Sequence, residues 1–316
     1  MGDQASPSVA GLTTDGFVAT WETPDGVDER GIVARKFSNE GTPIGPEVWV
    51  PYSPALDQTY PEILSLPNDS VLISWVFHDW VYGTGVVYTS AWYAVLDENL
   101  NKTYEMSLSS NNQFNPTPWG LVVNDRAIIM NGGTADVTVW AMDFTGAPVN
   151  SKILNTFTTG KQGTPSISPF TDGTAMSVWT SDGQDGNSNG IYGQQITSGL
   201  DKMGEETRFN ATLTGSQDSP TIATTGPDTF IVGWVTSSES PRRWVARRFQ
   251  KISGFWLPAS DEFFVGKRPN SAEEFNPRMI RLASGDIMSI WQETPSGQTA
   301  KILALRLGAD GVAKYH

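Results

Sequence analysis

A proline and a tryptophan recur at a fixed separation along this chain, and this repeat constrains the fold more than any other feature. The prolines follow a Gln-x-x-Pro motif, or Glu-x-x-Pro in the last copy, and recur every 49 to 57 residues. Fourteen residues after each proline stands a tryptophan, replaced once by methionine. The prolines are Pro7, Pro61, Pro116, Pro165, Pro220 and Pro277, and the residues that follow them are Trp21, Trp75, Met130, Trp179, Trp234 and Trp291. Six copies in register indicate six structural repeats.

Each repeat contains four short runs that favour β-strands, separated by turns rich in Gly, Asp and Asn. Strands of about five residues at this spacing are typical of all-β proteins, and no segment shows a sustained helical period. The fold predicted is therefore an all-β, six-bladed β-propeller of four-stranded antiparallel blades. We expect one domain over residues 1–316, with blades at about 7–60, 61–115, 116–164, 165–219, 220–276 and 277–316.

The two ends of the repeat pattern raise a question about closure. The last repeat stops at His316, where a fourth strand is expected to begin. We therefore expect either a very short closing strand supplied by the N-terminal residues or a last blade that lacks its outer strand.

The repeated residues are interpreted as structural. A large aromatic residue at a fixed repeat position usually packs between blades. The amide side chains of the motif are expected to tie the links between blades to nearby backbone; they belong to Gln4, Gln58, Gln113, Gln162 and Gln217. The motif proline fixes φ at a position where the strand ladder needs no N–H donor.

Composition excludes several classes of function. The net charge of −13 and the pI of about 4.6 disfavour nucleic acid or an anionic membrane as a partner. There is no cysteine, which excludes disulfides and thiolate chemistry. No apolar stretch is long enough to predict membrane insertion, and the chain as given shows no secretion signal.

The blade sequences also resemble a known class of repeat. The segments that carry this resemblance are DGFVATW, GIVARKF, SVWTSDGQDGNSNGIYGQQI and FIVGW. They are similar to propeller-type repeats of large secreted or surface-associated bacterial proteins. The resemblance implies a lectin-like binding protein that is secreted or at the cell surface.

The first candidate binding site is an aromatic insertion in blade two. The segment from Trp75 to Leu96 is 21 residues long, against 14 to 17 in the other blades. Aromatic rings beside polar groups suit sugar faces, so the candidate ligand-binding residues here are Phe77, His78, Asp79, Trp80, Tyr82 and Tyr88. The alternative is that the insertion folds back and buries its rings as packing.

The second and third candidate sites are in blades five and four. In blade five, Arg242 and Arg243 offer guanidinium groups for a carboxylate or sulfate beside Trp244, which begins the strand; the alternative is a solvated loop with scattered ion pairs. In blade four, Asp182, Asp185, Asn187 and Asn189 precede a glycine turn in a pattern that suits calcium. The alternative is a turn stabilised without an ion, and no other cofactor is expected.

Enzymatic function ranks third in this interpretation. The histidines are His78 and the terminal His316, so no triad or multi-histidine metal centre is indicated. With the first strands taken to start at the prolines, only Glu62 places a carboxylate on one, while Asp218 and Glu274 fall in the links. The repeat turns also lack the spacing of sialidase Asp-box turns.

The sequence therefore predicts a non-enzymatic binding or adhesion module with glycans as the leading class of ligand. The ligand is expected to bind on the face that carries the blade links. The first alternative is a protein-interaction scaffold, and the second is a glycosidase or sialidase-like enzyme.

Overall fold

The chain folds into a six-bladed β-propeller, as predicted. The computed structural model describes residues 3–24, 30–52, 57–81, 86–108, 119–133, 135–266 and 272–314. Six antiparallel sheets lie within these residues, five with four strands and one with five. Apart from one short 3-10 turn, the regular elements of this described part are strands.

The contacts divide the chain into two compact units, which we describe one at a time. The first unit comprises residues 1–134 and 138–152, and the second comprises residues 135–137 and 153–316. The expectation of a single domain over residues 1–316 stays a prediction.

The first unit holds blades one to three. Its strands are β1 (Ala5–Gly11), β2 (Phe17–Pro24), β3 (Arg30–Phe37), β4 (Pro43–Trp49), β5 (Asp57–Ser65), β6 (Val71–Val81), β7 (Val86–Leu96), β8 (Lys102–Ser107), β9 (Trp119–Val123), β10 (Arg126–Gly132), β11 (Val137–Met142) and β12 (Pro148–Ile153). The boundary between the units falls within the last two of these strands. Each strand pairs with the next along the chain, which is the meander expected of a blade.

The second unit holds blades four to six. Its strands are β13 (Gln162–Pro169), β14 (Thr174–Asp182), β15 (Asn189–Thr197), β16 (Lys202–Arg208), β17 (Gln217–Gly226), β18 (Thr229–Thr236), β19 (Arg243–Ile252), β20 (Phe255–Pro258), β21 (Phe263–Phe264), β22 (Ala272–Arg281), β23 (Ile287–Pro295), β24 (Lys301–Leu307) and β25 (Ala313–Lys314). Blade five has the extra strand because both β20 and β21 pair with β19.

The last blade has a short fourth strand. Ala313 pairs with Leu307 and Lys314 pairs with Arg306. The outer position is thus occupied by residues of the same blade, whereas the N-terminal strand β1 belongs to blade one.

The motif prolines lie inside the first strands, not at their starts. In five blades the strand register shifts at the proline, which marks a β-bulge. The residue before each of these prolines has a positive φ: Ser6, Tyr60, Thr164, Ser219 and Asn276. A bulge leaves one residue out of the ladder, so proline is tolerated there without a lost hydrogen bond. The first strands therefore begin several residues earlier than predicted, and they include Asp57, Asp218 and Glu274.

The recurrent tryptophans are buried, with one exception. Trp75, Trp179, Trp234 and Trp291 are 0–5 % exposed, and Met130 is fully buried in their equivalent place. Trp21 is only half-buried. The apolar core lies between consecutive blades: Val18 and Ile32 of blade one pack in one cluster with Ile73 and Trp75 of blade two.

The motif glutamines use their amides in different ways. Gln217 donates to the carbonyls of Thr214 and Gly215, which fits the expected tie to link backbone. Gln162 instead accepts a hydrogen bond from the indole of Trp179 at 3.1 Å. Gln4 donates to the Thr23 hydroxyl, and Gln113 lies outside the described residues.

A buried aspartate connects blade two to blade one in the first unit. Asp69 ends the 3-10 turn Pro67–Asp69, and its carboxylate accepts hydrogen bonds from the backbone and hydroxyl of Thr13 and from Thr14. These hydrogen bonds favour the ionised form and lower the pKa of Asp69 to about 2. Blade one is thereby attached to blade two by a charged side chain.

The described residues include no helix with the length and apolar character needed to cross a membrane.

Candidate functional site

The described part of the blade-two insertion lengthens the paired strands β6 and β7. Strands β6 and β7 each have 11 residues and remain paired to Val81 and Val86. Phe77 is half-buried, with its ring 6.0 Å from that of Trp92, so it packs against the hairpin.

The other residues predicted in this insertion have separate outcomes. His78 is half-buried and Asp79 is exposed. Tyr82 lies outside the described residues, as do the side chains of Trp80 and Tyr88. The part of the predicted aromatic platform that is described therefore contributes one packing ring and two polar residues.

His78 lies beside the first strand of its own blade. It pairs in register with Asp57, and its Nε2 atom is 2.8 Å from the Thr59 hydroxyl. Burial lowers the pKa of His78, although the charges of Asp57 and Glu22 act in the opposite direction. Burial thus favours the neutral imidazole, which can hydrogen-bond through both ring nitrogens.

Around His78 the first unit gathers charged residues from blades one and two. Glu22, at the end of β2, forms an ion pair with Arg30 at the start of β3. The Glu22 carboxylate also accepts the backbone N–H of Tyr60 at 2.9 Å, and Asp57 accepts the backbone N–H of Arg30 at 3.0 Å. We call the five residues Glu22, Arg30, Asp57, Tyr60 and His78 the Glu22 cluster.

The members of the Glu22 cluster differ in accessibility. Glu22 is 2 % exposed, whereas the side chain of its partner Arg30 is 49 % exposed. Asp57 is half-buried and Tyr60 is 50 % exposed. The buried carboxylate is fixed from two sides, and a second carboxylate and a phenol remain within reach of solvent.

Tyr60 occupies a special backbone position. It is the residue before Pro61 and has a φ of +53°, which is unusual for a non-glycine residue. In the other described blades this bulge position holds serine, threonine or asparagine, which are short and polar. Blade two therefore presents an aromatic hydroxyl where its neighbours present small groups.

The second unit also has polar contacts between the start of a third strand and the first strand of the next blade, made by side chains, and we interpret these as structural. Asn189 at the start of β15 donates to Asp218 of the next blade. Arg243 at the start of β19 forms an ion pair with Glu274 of the next blade. A contact repeated at successive blade junctions is explained by blade packing. What distinguishes blades one and two is the addition of Glu22, Tyr60 and His78.

The predicted arginine site of blade five is largely buried. Arg243 is 5 % exposed, and Trp244 is fully buried with its ring 5.0 Å from that of Trp291. Trp244 therefore offers no surface to a ligand, because it fills the core between blades five and six. Arg242 is exposed and lies over the ring of Phe275.

Glu274, behind this site, has an unusual environment. It is fully buried and accepts the backbone N–H of Trp244 at 2.7 Å. It pairs in register with Glu293, which is 8 % exposed. Burial raises the pKa of Glu274, and the charge of Glu293 adds to this effect.

The predicted calcium residues of blade four make hydrogen bonds within a turn. Asp185 accepts the backbone N–H of Asn187 at 3.1 Å, and the amide of Asn187 donates to the Leu213 carbonyl. The amide of Asn189 donates to Asp218, while Asp182 is exposed. In the described part of the chain, no group of three or more His, Asp or Glu side chains is arranged to hold a metal. Calcium binding stays a prediction.

Comparison with known proteins identifies the fold and corrects the predicted function. No family model and no curated protein sequence matches the chain. Among solved structures, the NanB sialidase of Streptococcus pneumoniae matches with a TM-score of 0.60 and 8 % identity over 98 % of this chain and 69 % of that chain. An α-L-arabinofuranosidase of Fusarium graminearum matches with a TM-score of 0.63 and 13 % identity over 98 % of this chain and 94 % of that chain. A leech intramolecular trans-sialidase matches with a TM-score of 0.64 and 10 % identity over 98 % of this chain and 68 % of that chain.

These matches show the propeller fold. They also correct the prediction of a non-enzymatic binding or adhesion module, since the three structures named here are those of a sialidase, an arabinofuranosidase and a trans-sialidase. One premise of the sequence argument against an enzyme was wrong for a physical reason. It started the first strands at the prolines, and so excluded carboxylates such as Asp57 and Glu274 that the strands contain.

Glu22, Arg30, Asp57 and Tyr60 were missed as candidate site residues. Glu22 directly follows Trp21, and Asp57 directly precedes the motif glutamine Gln58. The signal in the sequence that marks this cluster is therefore a charged residue directly beside a repeated residue.

Proposed function

We propose that this protein is a glycoside hydrolase whose reaction centre is the Glu22 cluster. The observation that supports it most directly is that two carboxylates meet at Arg30: Glu22 pairs with its guanidinium group, and Asp57 accepts its backbone N–H. Glycoside hydrolysis generally needs two carboxyl groups flanking the scissile bond. The fold shared with sialidases and an arabinofuranosidase supports the same proposal.

The different solvent exposures of Asp57 and Glu22 suggest different roles for the two carboxylates in hydrolysis. Asp57 is half-buried, so we assign it to proton transfer with the leaving-group oxygen. Glu22 is fixed by Arg30 and by the Tyr60 amide, and we assign it to the second carboxylate role, facing the positive charge that develops at the anomeric carbon. Tyr60, which is half exposed beside them, contributes its ring or hydroxyl to the bound sugar.

The charges of the Glu22 cluster favour an uncharged sugar. The cluster holds two carboxylates and one guanidinium group, and that group already pairs with Glu22, whereas Asp57 accepts only the backbone N–H of Arg30. A sialic acid carries a carboxylate of its own, which this excess of negative charge repels. We therefore propose that neutral glycosides such as arabinofuranosides are preferred over sialosides.

The experiment is a hydrolysis assay with fluorogenic aryl glycosides, one series bearing α-L-arabinofuranose and other neutral sugars and one bearing sialic acid. Asp57→Asn and Glu22→Gln should each lower kcat by about 10²- to 10⁴-fold, the usual size of a lost acid–base or charge-stabilising group. Asp125→Asn is the matched control, because Asp125 is an exposed carboxylate in blade three, outside the Glu22 cluster.

Thermal melting of each variant separates lost chemistry from lost folding. Full activity in Asp57→Asn would exclude this reaction centre. No hydrolysis of any glycoside by the wild-type chain would exclude the proposed function, and faster hydrolysis of the sialoside would exclude the neutral preference.

A further inference from the structure

The second unit contains a cleft that the proposed reaction does not use. It lies between the β18–β19 loop and the turn after β23, and its volume is about 600 Å³. This is within the range of about 300 to 1,000 Å³ typical of small-molecule sites. The residues that bear on the argument are Ser240, Pro241, Glu273, Phe275, Thr294 and Gln298.

The walls of the cleft combine an apolar face with hydrogen-bonding groups. Phe275 is half-buried and, with Pro241, supplies apolar surface. The hydroxyls of Ser240 and Thr294, the amide of Gln298 and the carboxylate of Glu273 supply donors and acceptors. A sugar ring presents the complementary surfaces, because its C–H face packs on an aromatic ring while its hydroxyls both donate and accept.

The charges around the cleft favour a ligand without net charge. Glu273 lines the cleft, and the guanidinium of Arg242 lies 6.0 Å from the centre of the Phe275 ring. These two opposite charges offset each other at the surface. On the strands behind, the buried carboxyls of Glu274 and Glu293 lie opposite each other, and Glu274 already pairs with Arg243, so that buried cation is not left for an added anion.

We propose that this cleft is a separate saccharide-binding site for a neutral sugar residue, with the ring of Phe275 as its stacking surface. It belongs to the second unit, whereas every residue of the Glu22 cluster belongs to the first. The site is assigned to holding a sugar residue, and none of the residues of the Glu22 cluster lines it. This proposal does not depend on hydrolysis, because binding to the cleft is measured directly.

Ligand-observed NMR and isothermal titration calorimetry on the full chain test the proposal. The probes are arabinotriose, cellotriose, lactose and 3′-sialyllactose, and the last two differ by one charged sugar. Asp57→Asn protein is used throughout, so that no probe is consumed. At least one neutral probe should bind, and 3′-sialyllactose should bind no more tightly than lactose.

Phe275→Ala should weaken binding of the neutral probe about tenfold, as expected for the loss of a stacking anchor. Gln298→Ala, on an exposed turn, should weaken it without affecting folding. Phe255→Ala is the matched control, because Phe255 is a 69 % exposed phenylalanine outside the cleft. The Phe255→Ala variant should bind the neutral probe with the same affinity as the parent protein.

Three results would overturn the proposal: no neutral probe binds, the Phe275→Ala and Gln298→Ala variants bind as the parent does, or the sialylated probe binds more tightly than lactose. Failure of the proposed hydrolysis is a different result, because it leaves saccharide binding to the cleft intact.

Discussion

At the scale of single residues, the repeat positions show how one side chain changes its role from blade to blade. The motif position that holds Gln58, Gln162 and Gln217 holds Glu274 in blade six. All four are buried, but only Glu274 places an ionisable group there, opposite a second glutamate. A buried amide needs only hydrogen-bond partners, whereas a buried carboxyl also resists ionisation.

Replacing Glu274 by Gln should change how stability depends on pH. The folded protein raises the pKa of Glu274, so its contribution is fully present below the ordinary pKa of glutamate and is lost as the pH rises through the raised value. The melting temperature of the wild-type chain should fall over this window relative to that of Glu274→Gln. Absolute stability also reflects the lost ion pair with Arg243, so the slope is the quantity to compare.

Glu273→Gln is the control for this prediction, since Glu273 is the exposed neighbour on the same strand. Melting curves at intervals between pH 4 and 8 measure both variants. Parallel curves for Glu274→Gln and the wild type would contradict the assignment.

Trp179→Ala should destabilise the protein by about 3–5 kcal/mol, because it empties a fully buried aromatic site and leaves the Gln162 carbonyl oxygen without its indole donor. Trp21→Ala should cost clearly less, since Trp21 is only half-buried. Chemical denaturation of both variants measures the difference. Equal losses would mean that the two repeat positions contribute alike despite their different burial.

At the scale of the element, the proline bulge is the feature that organises the first strands of blades one, two, four, five and six. It places one residue at positive φ and shifts the register, so that the residues before it form an additional paired segment. In blade two this segment carries Asp57 and Tyr60 into the Glu22 cluster. The bulge therefore determines which side chains reach the proposed reaction centre.

Ser219 tests the conformation of the bulge, with a φ of +54°. Ser219→Val should destabilise the protein by about 1–2 kcal/mol relative to Ser219→Gly, because a left-handed conformation is costly for a β-branched residue and not for glycine. Urea denaturation midpoints of the two variants measure this. Equal midpoints would mean that the chain leaves the left-handed region without cost.

The strands and the candidate site differ in how far the sequence predicted them. The repeat predicted six blades and the burial of Trp75, Trp179, Trp234 and Trp291, because large apolar residues at a fixed spacing in a β-rich chain pack between successive repeats. The Glu22 cluster could not be predicted in the same way. It depends on residues of two blades meeting beside a bulge, and proline was interpreted as the start of a strand.

At the scale of the whole molecule, the chain is built from two units of three blades, with the proposed reaction centre in the first and the proposed saccharide cleft in the second. The blades share their packing residues, whereas the functional proposals rest on residues that depart from the repeat. Glu22, Tyr60 and His78 are the additions at one blade junction, and the cleft beside Phe275 is the addition at another. A repeated scaffold of this kind allows one junction to change without repacking the others.

The position of the core between blades also has a consequence for synthesis on the ribosome. Ile32 of blade one is buried against Ile73 and Trp75 of blade two, some 40 residues later in the chain. When blade one emerges, one of its apolar faces has no partner until the following blade has been translated. Folding of the nascent chain should therefore lag translation by about one blade, and the exposed face is where a chaperone would bind during that interval.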